Sequence, residues 1–201
     1  MVRILQSLSK TVHYSILLAV ILFLAFHYGG SSFSFDQYFF SWLFRYLHVI
    51  SGIMWIGLLW YFNFVQIPSM PNIPDDQKPA VSKVIAPKAL FWFRWAALAT
   101  IITGLLVAYL NNYLHEAMTL GIGSGDLKNT AIGIGMWLGI IMAYNVWFVI
   151  WPNQKRALGM IECDQDEKAK SARTAMLFSR TNTLLSFPML FTMVAAQNLS
   201  W

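Results

Sequence analysis

The chain reads as an all-α protein: an integral membrane bundle of five transmembrane helices, with the N-terminus in the cytoplasm and the C-terminus in the periplasm. Three observations predict this. Of 201 residues only 11% are charged, while 57% are hydrophobic and 16% aromatic, which excludes an ordinary soluble domain of this length. Apolar stretches long enough to cross a bilayer recur at about 11–28, 38–66, 89–114, 130–151 and 175–198. With the N-terminus inside, every lysine and arginine except Arg45 and Lys128 falls on the inner side, as the positive-inside rule demands. The basic residues lie between spans rather than on one patch, so their excess does not point to nucleic acid. Residues 1–201 form a single transmembrane domain on this reading, multi-pass in a bacterial inner membrane.

Span one carries Arg3 and Lys10 ahead of its apolar run, but His27-Tyr28-Gly29-Gly30 offers no small-x-small cleavage pattern. It is expected to be a retained signal anchor, with His13 and His27 as interfacial anchors. Span two is long enough to tilt or project. The proline-rich stretch from Gln66 to Lys88 is expected to be an extended, semi-rigid cytoplasmic connection. Asp75 and Asp76 in it lack a third ligand and read as a solvated turn. Phe91-Trp92-Phe93-Arg94-Trp95 opens span three as an aromatic belt with an anchoring arginine. Gly121-Ile122-Gly123-Ser124-Gly125 lacks the Gly-Lys-Ser/Thr ending of a phosphate loop and reads as a flexible turn.

Span four carries Gly135 and Gly139, a spacing that lets another helix approach closely. Their partner is either internal or another membrane subunit, and other subunits are the expected partners. Arg156 to Arg173 should be a solvated, helix-like segment. Span five is the weakest, diluted by Thr183, Ser186 and Thr192 and interrupted by Pro188. The single Cys163 allows no disulfide framework, and no Cys-x-x-Cys-His haem attachment site is present.

The candidate site lies in span two. Arg45, His48, Gly52 and Trp55 are offset by three, four and three residues and so share one helical face. Charge and imidazole are costly in hydrocarbon. A flat ligand suits the stripe: imidazole to hold it, glycine to admit it, guanidinium for acid groups, indole for a wall. The bland alternative is a snorkelling arginine and a histidine bonded to a neighbouring helix.

Arg45-Tyr46-Leu47-His48-Val49-Ile50-Ser51-Gly52-Ile53-Met54-Trp55-Ile56-Gly57 resembles a signature of the membrane-bound urate hydroxylases, the urate oxidase N-terminal domain family. Phe91–Trp95, Asn145–Lys155 and Asn182–Pro188 are similar to further motifs of that family, so the resemblance runs from about Trp42 to Asn198. It implies a bacterial inner-membrane helical domain, followed in long members by a cytochrome c domain that carries electrons away. Phe91 and Thr181 stand where those members tend to have histidine, and only His48 carries over. The chain therefore reads as a short member without the cytochrome c tail.

Two functions stay open. One is an accessory subunit of a larger membrane complex of the electron-transfer kind, with a cytochrome c as a further partner. The other is a haem b-binding redox protein, or a urate or purine oxidoreductase subunit. Here His48 is an axial metal ligand, Arg45 pairs with a propionate, and Gly52 and Trp55 line the ring. The second ligand is His115, His27, Met54 or Met136, or is absent. Transport would need paired carboxylates within the membrane, and every Asp and Glu falls in a loop or at a span edge.

Overall fold

The computed structural model describes residues 2–28, 34–123 and 125–200, and every regular element among them is helical. The chain divides into two compact units, 1–39 and 40–201. In the first, a short turn, Val2–Leu5, precedes α1 (Leu8–Tyr28). α1 is apolar around its circumference, with Leu17, Leu18, Ile21 and Leu22 all exposed. Two of its polar side chains bond backbone carbonyls of their own segment: Thr11 to Ile4 and Ser7, and His13 Nδ1 to Ser9 at 2.6 Å. That is how a polar group is accommodated where water is scarce. The His27 side chain lies outside the described residues.

The second unit is built on four long helices: α2 (Gln37–Trp60), α3 (Ala86–Leu110), α5 (Leu127–Tyr144) and α6 (Gln165–Asn198), with a short α4 (Leu114–Met118) between the middle two. Three of the long helices carry a wide π-helical turn at the same end of the bundle. Tyr61–Gln66 extends α2, Ala80–Ile85 leads into α3, and Asn145–Ile150 extends α5 into Trp151–Ala157. Such turns loosen the backbone ladder, and Asn63 Nδ2 donates to the Leu59 carbonyl at 2.9 Å.

Prolines shape the connections less than expected. Pro68 and Pro71 sit in the first positions of the short turns Ile67–Ser69 and Met70–Asn72, where a missing N–H is tolerated. The expected linker from Gln66 to Lys88 is therefore helical at both ends, and only 73–77 interrupts it. α6 begins at Gln165, ten residues before the apolar stretch, because Asp164 accepts from the Glu167 amide at 2.7 Å and Asp166 and Glu167 occupy the first turn.

Four stretches are long and apolar enough to cross a membrane: Leu8–Phe26, Gln37–Asn72, Ala80–Leu110 and Leu127–Ala157. α6, the fifth expected span, is not one of them. Its exposed face nonetheless carries Leu184, Phe187, Phe191 and Val194, while Ser179, Asn182 and Ser186 are buried. A helix that is polar inside and apolar outside suits lipid, and averaging over both faces hides it.

The glycines of α5 are spent inside the chain. A Cβ at Gly135 would stand 2.8 Å from Thr192 Oγ1, and one at Gly139 would meet Met189 Sδ at 3.6 Å, both on α6. At Gly133 a Cβ would collide with the Ala117 carbonyl of α4. Within the chain, then, Gly133 faces α4, and Gly135 and Gly139 face α6. The core that results is anchored by Trp55, Leu59, Phe93, Met142, Val146 and Ile150.

A cavity beside His48

α2, α3, α5 and α6 do not close completely where His48 lies. They border a half-open cavity of about 570 Å³, within the range of small-molecule and cofactor sites, with His48, Gly52, Trp55, Thr100, Gly104 and Met136 in its lining. Most of the remaining lining is aliphatic, from residues such as Ile53, Ile56, Ile101, Leu105 and Leu190.

The imidazole is held, not merely present. Its Nδ1 is 2.9 Å from the Thr100 carbonyl, and Thr103 Oγ1 stands 3.4 Å away. A carbonyl can only accept, so Nδ1 donates and the neutral ring keeps its lone pair on Nε2. Among the described residues Nε2 has no hydrogen-bond partner. A ring oriented through one nitrogen and free at the other has the usual arrangement of a histidine metal ligand.

Gly104 makes room for that ring. A Cβ there would lie 2.8 Å from His48 Cε1 and 3.1 Å from Nδ1, so a side chain would push the imidazole away. Gly52, expected to admit a ligand, has only an ordinary 3.9 Å approach to Thr100 Cγ2. Sequence reasoning missed Gly104; the signal was a glycine next to two threonine positions in an apolar span.

The other expected site residues divide. Trp55 is 1% exposed, lines the cavity, and its Nε1 is buried without a partner. Arg45 is not in the lining; its guanidinium reaches Gln197 Oε1 at 3.4 Å, one turn beyond Val194, which does line it. His115 is exposed on α4 and Met54 is exposed on α2, and neither lines the cavity. Met136 does, joined by Met189 and Met193 of α6. Among the described residues no group of three or more His, Cys, Asp or Glu could hold a metal.

Toward the π turns, α2, α5 and α6 pack on polar side chains. Asn145 Nδ2 donates to Asn182 Oδ1, and Asn182 Nδ2 to the Met142 carbonyl, both at 2.9 Å. Asn63 Nδ2 donates to Ser179 Oγ at 2.8 Å, and Trp60 Nε1 to Ser186 Oγ at 3.0 Å.

Together the fold and the cavity define a class: a multi-helix protein with several membrane-crossing helices by length and composition, and one oriented imidazole at an apolar pocket. The urate oxidase N-terminal family model matches residues 126–198. That stretch holds α5, its π turn and α6, including Gly135, Gly139, Asn145 and Asn182; the Arg45–Gly57 and Phe91–Trp95 motifs lie outside it. No curated protein and no solved structure matches the chain.

Proposed function

We propose that this protein is a membrane-embedded redox subunit that holds a b-type haem beside His48 and serves a larger electron-transfer complex. Its relation to the membrane domain of urate hydroxylases is carried by residues 126–198. The observation behind the proposal is the His48 imidazole, tied through Nδ1 to the Thr100 carbonyl with Nε2 unpartnered at a 570 Å³ cavity. The donor set fits: a neutral imidazole suits iron, methionine sulfurs from α5 and α6 line the same space, and Gly104 leaves the ring its place. When bound, the haem supplies reversible one-electron transfer.

The chain's own residues orient and insulate. Thr100 fixes the tautomer and tilt of His48, and its hydrogen bond raises the basicity of Nε2. The aliphatic walls and Trp55 exclude water, which tunes the potential of a redox centre. Arg45 is the cation nearest in sequence to His48 on its face and is the proposed partner of an acid group reaching that end. A urate-sized purine fits less well, because its carbonyls and N–H groups would find few partners in this lining. The α5 glycines, one of the features that suited a purely accessory role, are occupied within the chain by α4 and α6.

The test is an absorption spectrum of the protein purified from membranes and supplied with haemin. The wild type should show a Soret band that His48→Ala abolishes while the variant stays folded. A colourless wild type, or an unchanged spectrum in His48→Ala, refutes the assignment.

A further inference from the structure

Arg94 does not do what an arginine in an aromatic belt usually does. It is 9% exposed instead of reaching to the interface, and its guanidinium carbon lies 3.3 Å from the centre of the Trp151 ring and 5.9 Å from that of Trp147. Nε and Nη1 are buried without any hydrogen-bond partner, whereas Nη2 is not enclosed in this way. Arginine cannot shed its proton to escape the cost. Among the described residues the ion pairs are Lys78–Asp75 and Arg156–Glu167, so no carboxylate neutralises Arg94. Lys155, one helical turn after Trp151, brings a second cation to the same indole, with Nζ 5.7 Å from the ring centre, and it too has no acidic partner. Two unneutralised cations around one tryptophan at the end of a membrane-crossing stretch leave a charge imbalance that the chain itself does not correct.

We infer that Arg94, Lys155 and Trp151 form a binding site for a phosphate oxyanion, supplied by the headgroup of an anionic phospholipid. The chemistry matches. A planar guanidinium stacked on an aromatic face is the usual recogniser of phosphate, lysine adds a mobile point charge, and basic pockets between spans take acidic headgroups. The apolar side chains exposed nearby, Trp92, Trp95 and Phe148, offer acyl chains a surface next to the charged end. None of the three site residues lines the His48 cavity, so this site stands or falls apart from the haem proposal.

Native mass spectrometry of the detergent-purified chain, titrated with phosphatidylglycerol or phosphatidylcholine, tests it. Phosphatidylglycerol should bind at least about tenfold more tightly. Lys155→Gln, a change at a half-buried position that leaves the core intact, should weaken that binding about fivefold, the effect of one basic residue near a lipid surface. Arg94→Lys should weaken it as well, since it keeps the charge and loses the stacked fork. Inorganic phosphate that displaces the lipid at millimolar concentration supports the oxyanion chemistry, whereas phosphate binding without any phosphatidylglycerol binding overturns the lipid source. Equal binding of the two lipids, or undiminished phosphatidylglycerol binding in Lys155→Gln, overturns the inference.

Discussion

At one end of the second unit, α2, α3, α5 and α6 stand around a space of about 570 Å³ that their own side chains do not fill. At the other end α2, α5 and α6 close on Asn63, Asn145, Ser179 and Asn182, whose side-chain amides donate to one another, to the serine hydroxyl or to nearby carbonyls. On the proposed function, the contrast separates folding from function within one bundle. Hydrogen bonds between helices fix register where there is no water to compete and no hydrophobic drive between spans. With register fixed there, the opposite end can leave an opening beside an oriented imidazole without losing its shape.

Substitutions at the two ends should therefore fail in different ways. The largest effect is expected at Gly133, where a Cβ meets the Ala117 backbone carbonyl: Gly133→Ala should destabilise by about 3 kcal/mol. Gly139→Ala, with neighbours at 3.6 and 3.7 Å, should stay within about 0.5 kcal/mol. Thermal unfolding in detergent compares the two. Next comes Asn182→Ala, which leaves Asn145 Nδ2 unpaired and buried, and should lower stability by about 2 kcal/mol. If Asn182→Ala unfolds like the wild type, the polar end is not what holds the helices in register.

Gly104→Ala sharpens the comparison from the cavity side. It should weaken haem retention about tenfold by displacing the His48 ring, with a smaller loss of stability than Asn182→Ala; a haem titration followed at the Soret band reads the difference. The smallest effect lies outside both ends. Lys78 Nζ, 2.6 Å from Asp75 Oδ1, holds that exposed carboxyl below its ordinary value, first by hydrogen bonding and then by charge. A depressed folded-state pKa contributes stability above the ordinary carboxylate range, and this is lost as pH falls through the lowered pKa. Lys78→Ala should return Asp75 toward 3.8 in an NMR titration, with little change in unfolding because the pair faces water.

Much of this architecture was legible in the residues. Long apolar runs pointed to α1, α2, α3 and α5, because span length is dictated by bilayer thickness, though α2 and α5 pass into π turns before the expected ends. The face carrying His48, Gly52 and Trp55 was legible from helical spacing alone, and those three do meet at one cavity. What spacing within one helix could not reveal was anything contributed across helices. Thr100 and Gly104, which hold and admit the imidazole, belong to α3, and the methionines opposite belong to α5 and α6. The same limit applies to Arg94, read as an interfacial anchor because its partners Trp147 and Trp151 are more than fifty residues away. Proline misled in the other direction: Pro68 and Pro71 signal breaks in general, yet each stands where a new turn needs no N–H.

Haem stoichiometry bears most directly on the central claim. Protein purified from membranes supplied with haemin should yield about one b-type haem per chain by pyridine haemochrome assay, and His48→Ala should yield none at the same expression level. A wild-type protein that is folded yet free of haem under those conditions would mean that His48 holds no haem.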